Sequence, residues 1–146
     1  MFSTSVPYVF KVCDIFYSDA KAAIKYFLSK GCKCVILTLG ERGAVFANRE
    51  SIEPEYVNAI KVNSIDSTGA GDCFIGSLAY LLAYQKHLPM KDIVRAACFI
   101  ASISCRNLGT QASFPDSSVL QMYLSEVHTN LKKWKNSYHI HSNCYT

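Results

Sequence analysis

Long apolar runs, charge and paired cysteine motifs are all in short supply in this 146-residue sequence. The longest apolar stretch, Cys73 to Tyr84, is interrupted by Gly76 and Ser77 and falls short of the roughly 18 residues that span a bilayer, which excludes it as a membrane helix. Only 18% of residues are charged, 50% are hydrophobic and 12% aromatic, against a usual charged share of about 25%, so a disordered chain is excluded as well. Seven cysteines, at 13, 32, 34, 73, 98, 105 and 144, are odd in number and irregularly spaced. They suit free thiols in a reducing cytoplasm, with the nucleus as a second compartment, better than a disulfide framework. Cys32-x-Cys34 lacks the two-residue spacer of zinc and redox sites and reads as a pair of core thiols on one strand face. The segment MFSTSVPYVFKVCDIF has no basic stretch ahead of its apolar residues and no small-residue cleavage site, so no secretory signal is expected. Basic charge is scarce on the body of the chain too. The net charge is +4, and setting aside Lys132, Lys133 and Lys135 leaves +1; His128, His139 and His141 share the same end. A basic face for nucleic acid or anionic lipid is thereby excluded, and residues 132–146 are expected to form a solvated, disordered tail.

What is present suits one core. A chain of this length buries roughly 70% of its unfolded surface, enough for a single domain. Residues 18 to 30 predict a helix, with Ser18 as cap, Ala20, Ala23, Ile24, Phe27 and Leu28 on one face, and Gly31 as the left-handed stop. Cys34 to Leu39 is a continuous apolar run of the kind a strand buried on both faces shows. Gly40-Glu-Arg-Gly43 turns the chain into a second strand, Ala44 to Asn48. Glu50 to Glu55 reads as a loop, and Val57, Ala59 or Ile60, and Val62 suggest a short strand. An apolar helix to about Tyr84, a second from about Lys91 to Arg106, and a third opened by Pro115-Asp116 with Val119, Leu120, Tyr123, Leu124, Val127 and Leu131 in one stripe complete the pattern. Tyr80 and Tyr84, one helical turn apart, read as packing residues.

The segment Asn63 to Asp72 carries the chemistry. A Gly-Ala-Gly turn at a helix start exposes backbone N–H groups without intrahelical partners, and the helix dipole adds partial positive charge, so an anion is favoured there. Asp72 puts a carboxylate at the same spot. Like charges make that unhelpful for simple anion binding, whereas a general base that takes a proton from a hydroxyl attacking a bound phosphate belongs there. The same residues also suit a plain tight turn with Asp72 favouring the first helical turn, and the short motif alone leaves both readings open.

Asp66-Ser-Thr-Gly-Ala-Gly-Asp-Cys-Phe-Ile-Gly76 resembles the second signature of the PfkB sugar-kinase family. Gly109-Thr-Gln-Ala-Ser-Phe-Pro115 resembles the segment after the nucleotide-site helix in its ribokinase branch, and Thr38-Leu-Gly-Glu-Arg-Gly43 resembles the strand and glycine turn beside the ATP phosphates. The resemblance implies an α/β chain, the C-terminal part of a ribokinase-like α/β/α sandwich lacking the N-terminal sugar-binding and lid portion. Residues 18–131 would form the partial kinase domain, preceded by a divergent segment 1–17. It implies transfer of the ATP γ-phosphoryl group to the 5-hydroxyl of D-ribose, giving ribose 5-phosphate. Asp72 would be the base, with Gly69, Ala70 and Gly71 as the anion hole. Thr38, Gly40 and Gly43 would lie along ATP, and Cys98 near the adenine. Potassium would be held by the Asp66 and Ser113 side chains and the carbonyls of Thr68, Ser104, Asn107 and Gly109, with Mg2+ on the phosphates. Fructokinase-like and adenosine-kinase-like members share the Gly-Ala-Gly-Asp turn and are the nearest alternatives.

The family's N-terminal glycine-rich and Asn-containing sugar motifs, its small β-sheet lid and its Asn-x-x-Glu magnesium motif have no counterpart in residues 1–33. The expectation is therefore an incomplete kinase, or else an inactive, truncated nucleotide-binding product. The homodimer of the full-length family is not expected to persist without the lid. Missing neighbours are expected to leave the strand 34–39 with an exposed edge.

Overall fold

The computed structural model describes residues 8–12 and 17–126. It contains strand β1 (Tyr8–Val12), helix α1 (Tyr17–Ser29), strands β2 (Cys34–Thr38), β3 (Ala44–Asn48) and β4 (Glu55–Val57), and helices α2 (Ala70–Tyr84) and α3 (Met90–Ser104). The strands form one mixed sheet in the order β1-β2-β3-β4. β1 and β2 run parallel with Tyr8 opposite Cys34, and α1 is the crossover between them; a parallel pair needs such a crossover because a short turn cannot return the chain to the same end. β2, β3 and β4 continue antiparallel.

Helix α1 ends in the geometry that Gly31 predicts. With Gly31 at φ +105°, its N–H donates to the Leu28 carbonyl at 3.1 Å and the Cys32 N–H to Phe27 at 3.3 Å, the paired bonds of a Schellman stop. Ser18 lies inside the first turn and is not the cap, since the helix already begins at Tyr17. Ala20 and Ile24 of α1 are fully buried against Val35, Leu37, Leu39, Val45 and Ala47. Strand alternation sends Ile36 and Phe46 to the opposite sheet face, and these are buried too. α2 and α3 pack on each other, and α3 reaches β4, where Lys91 Nζ lies 3.6 Å from Glu55 Oε2.

Several expectations are corrected. The segment 1–17, to which the sequence assigns no element, holds strand β1, and β2 is therefore an interior strand with no exposed edge. β4 occupies Glu55–Val57, not Val57 to Val62: its partner β3 starts at Ala44, which faces Val57, and beyond that point the ladder has nothing to pair with. Cys32 and Cys34 are both buried, but the strand begins only at Cys34, and Cys32 joins the α1-side cluster from the turn after Gly31. Tyr80 and Tyr84 stack on each other with ring centroids 4.9 Å apart yet are 39% and 71% exposed, so they are not core residues.

The chain divides into two units, ending and beginning at Phe114 and Pro115. In the second, residues 117–126 are helical. The Asp116 carboxylate accepts the Ser118 N–H at 2.7 Å, and Leu120 and Leu124, one turn apart, are buried. Val127, Leu131 and the expected tail 132–146 lie outside the described residues.

Candidate active site

Gly69 precedes α2 in the left-handed conformation, φ +81° and ψ −4°, which a side chain would disfavour by about 1–2 kcal/mol. A Cβ at Gly69 would also press on Thr110 (3.1 Å from Cγ2) and on the Phe114 ring (3.2 Å). The turn is thus seated against Thr110 and Phe114, a contact that neither stretch of sequence reveals alone. The Ala70 N–H donates to the Ser67 carbonyl at 3.1 Å and the Cys73 N–H to the Gly69 carbonyl at 2.9 Å. Among the described residues no acceptor meets the N–H groups of Gly69, Gly71 and Asp72. The free donors are therefore those of 69, 71 and 72, with that of Ala70 already engaged. They cluster where the partial positive charge of a 15-residue helix is concentrated. Asp72 stands exposed in the first turn beside them.

The loop ahead of this turn is fixed by a clasp. Asp66 Oδ1 accepts the Thr68 N–H at 2.9 Å and Oδ2 accepts the Gly109 N–H at 3.0 Å, while the N–H groups of Ile65 and Asp66 both donate to the Cys105 carbonyl, at 2.8 and 3.2 Å. The Thr68 hydroxyl, then the N–H groups of Thr68 and Gly109, hold the Asp66 carboxyl below the usual carboxylate range, because each stabilises the ionised form. Ser113 is buried in the short turn Gln111–Ser113, its hydroxyl donating to the Thr110 carbonyl at 2.7 Å. Ser104 is buried at the end of α3, and its carbonyl accepts the Asn107 N–H at 3.5 Å. Asp66, Thr68 and Gly109 are thus brought into direct contact, with Ser104, Asn107 and Ser113 on the same connecting segment. The ligand atoms that the resemblance implies are all oxygen, one of them anionic, a set that would fit a hard cation and not a soft metal. Among the described residues no group of three or more His, Cys, Asp or Glu could hold a metal.

The remaining site residues sit on the β2–β3 hairpin and on α3. Thr38 ends β2. Gly40 and Gly43 bracket the turn Gly40–Arg42 at φ +60° and +99°, and the Leu39 N–H closes it on the Gly43 carbonyl at 2.7 Å. A Cβ on Gly43 would run into the backbone of Val57, Asn58 and Ala59, so this glycine is required for packing whatever else it does. Cys98 lies 5% exposed on α3, and burial pushes its thiol up to about 12. It is therefore a protonated thiol with little surface to offer a ligand.

The chain matches the pfkB family of carbohydrate kinases over residues 13–117, and it belongs to that family. Mouse ribokinase is 36% identical over 107 residues, which cover 73% of this chain and 33% of the mouse protein. The crystal structure of ribokinase from Thermotoga maritima superposes with a TM-score of 0.69 at 27% identity, covering 82% of this chain and 42% of that one. Aminoimidazole riboside kinase from Salmonella enterica, solved with aminoimidazole riboside and an ATP analogue, gives 0.62 at 26% identity over 72% of this chain and 36% of that one. The fold is thus a partial α/β ribokinase fold, and the chain spans about a third of the length of the curated relative.

Proposed function

We propose that this chain carries the phosphoryl-transfer half of a ribokinase-type sugar kinase, with ATP as phosphoryl donor and the 5-hydroxyl of D-ribose as acceptor. The observation that carries the reading is the left-handed Gly69 turn, which leaves the N–H groups of Gly69, Gly71 and Asp72 free beside the exposed Asp72 carboxylate. Those donors would take the negative charge that builds on the equatorial oxygens of the transferred phosphoryl group, a task that preorganised N–H groups perform without rearranging. Asp72 would accept the sugar hydroxyl proton as the oxygen attacks phosphorus and the bond to the ADP oxygen breaks.

Thr38, Gly40 and Gly43 would lie along the nucleotide, and Cys98 would touch the adenine only through its small exposed surface. Asp66, Ser113 and the carbonyls of Thr68, Ser104, Asn107 and Gly109 would hold potassium. The ion supplies a fixed positive charge that locks two backbone segments together. Asp66 already bridges those segments, and Thr110 and Phe114 carry the arrangement on to Gly69. Magnesium would arrive with the ATP phosphates, for which this chain supplies no cluster of its own among the described residues. The free cysteines among the described residues support a cytoplasmic setting, and no described helix is long and apolar enough to cross a membrane.

The test is sugar-dependent ADP production with ribose, in potassium and in sodium, using the chain together with the N-terminal portion of a ribokinase. Ribose-dependent turnover that rises with potassium is expected. Equal rates in the two salts would remove the cation site from the account, and turnover on fructose or adenosine but not ribose would move the acceptor assignment. A second reading, a nucleotide-binding product without turnover, predicts ATP binding by calorimetry and no ADP formation on any sugar.

A further inference from the structure

Two cysteines converge directly behind the Gly69 turn, and the kinase reading uses neither. The free cysteines among the described residues are Cys32, Cys34, Cys73, Cys98 and Cys105, and of these only Cys105 is not fully buried. Cys105 caps the C-terminal end of α3, where its thiol donates to the Ala101 carbonyl at 3.4 Å. Cys73 lies in the first turn of α2, and its thiol points across to α3, 3.8 Å from the Ile100 carbonyl. Consecutive carbonyls of an α-helix are only roughly 3–4 Å apart, so the two sulfurs occupy neighbouring rows of one helical turn. Burial first, and the nearby Cys105 sulfur against the pull of the Ser104 hydroxyl, hold the Cys73 thiol above its ordinary range, which puts each sulfur within electrostatic reach of the other. We propose that Cys73 and Cys105 are a redox pair: peroxide joins them in a reversible disulfide, and the bond unlatches the loop that leads into the Gly69 turn.

The Cys105 sulfur, the accessible one of the two, attacks one oxygen of hydrogen peroxide; the O–O bond breaks, water leaves and the sulfur becomes a sulfenic acid. The Cys73 sulfur then attacks the Cys105 sulfur. The S–S bond forms, the S–O bond breaks, and the hydroxyl departs with the Cys73 proton as a second water. Two thiols and one peroxide thus give one disulfide and two waters, and a dithiol reductant restores both thiols. A disulfide needs Cβ atoms about 3.5–4.5 Å apart, so Cys105 must leave the Ala101 carbonyl and swing toward α2. The end of α3 is the side that yields. It is held past Ser104 by the Arg106 N–H on the Ile103 carbonyl at 3.1 Å and the Asn107 N–H on the Ser104 carbonyl at 3.5 Å, whereas Cys73 sits inside a 15-residue helix with its own N–H on the Gly69 carbonyl at 2.9 Å. The Cys105 carbonyl turns with its side chain, and that carbonyl accepts the N–H groups of both Ile65 and Asp66. Oxidation therefore withdraws the acceptor that fixes the loop ahead of Gly69, while the new bond pulls on the residue next to Asp72.

The full 146-residue chain is treated with hydrogen peroxide, its remaining thiols are alkylated, and the peptides are mapped by mass spectrometry, with amide exchange followed by NMR on the same samples. A cross-link between the Cys73 and Cys105 peptides is expected, absent from Cys105→Ser and from Cys73→Ala and reversed by dithiothreitol. In the oxidised protein the Ile65 and Asp66 amides should exchange about 10-fold faster or more, a local opening, while the amides of Ala23 and Ile24 in α1 keep their protection. Cys105→Ser, a change at the end of a helix that leaves the buried Cys73 in place, should hold the Ile65 and Asp66 amides at their reduced-state rates in peroxide, which separates the bond from general oxidative damage. Cys105 recovered as a sulfinic acid, Cys105 bridged to any other cysteine, or a bridge between Cys73 and Cys105 that leaves both amides unchanged would each overturn the proposal. Neither measurement uses ATP or a sugar, so failure of the kinase reading leaves the redox pair standing, and failure of the redox pair leaves the kinase reading standing.

Discussion

Gly43 and Gly69 look alike in the sequence, each a glycine beside a turn, and they act for different reasons. Gly43 is excluded from having a side chain by the backbone of residues 57–59, so its first role is to let β4 close on the hairpin. Gly69 sets a left-handed residue ahead of α2 and is packed by Thr110 and Phe114. Gly43→Ala must both strain a residue at φ +99° and push β4 away. A loss of about 2–4 kcal/mol in unfolding free energy is expected in urea titration; an unchanged midpoint would mean that the 57–59 backbone moves aside at no cost. The resemblance to the kinase family assigned Gly43 a role beside ATP, and no spacing in the sequence could disclose the contact with Val57, because it joins positions 14 residues apart through a register fixed only in the sheet.

Elements were legible where their signal is local. Helix α1 reads from its apolar face and its glycine stop, β2 from its unbroken apolar run, and α2 from the turn that opens it. Strand β1 was not legible: Tyr8–Val12 becomes a strand by pairing with Cys34–Thr38, and that partner is supplied by the fold and not by its own sequence. The clasp between the 65–68 loop and the 105–109 loop is of the same kind. Its residues were named from the resemblance, but the two bonds to the Cys105 carbonyl had no signal, since a backbone carbonyl leaves no mark on residue type. Because the Asp66 carboxyl is held below its ordinary range, its contribution is present above the unfolded value of about 3.9 and is lost as pH falls through the lower, folded value. The protection of the Thr68 and Gly109 amides, taken relative to their intrinsic exchange rates, should accordingly hold at neutral pH and fall below about pH 4. Asp66→Asn should weaken protection at those two amides at neutral pH while leaving α1 amides unaffected. Uniform acceleration across the whole chain would instead mean that Asp66 is a general stability residue and not a local clasp.

For the whole molecule, the sequence and the fold agree on helix α1, strands β2 and β3 and the helix pair α2 and α3, while the fourth strand, and with it the crossover, comes from the fold alone; a left-handed glycine turn with a carboxylate beside it opens α2. The exposed edge expected at β2 is closed by β1. The central claim is that Asp72 serves as the base for a phosphoryl group held by the neighbouring N–H groups. Its most direct test compares Asp72→Asn with the parent in ribose-dependent ADP production, with ATP affinity measured alongside by calorimetry. The account predicts a fall in kcat of roughly 100-fold to 10,000-fold with ATP affinity nearly unchanged. Full turnover in the Asp72→Asn protein would contradict it.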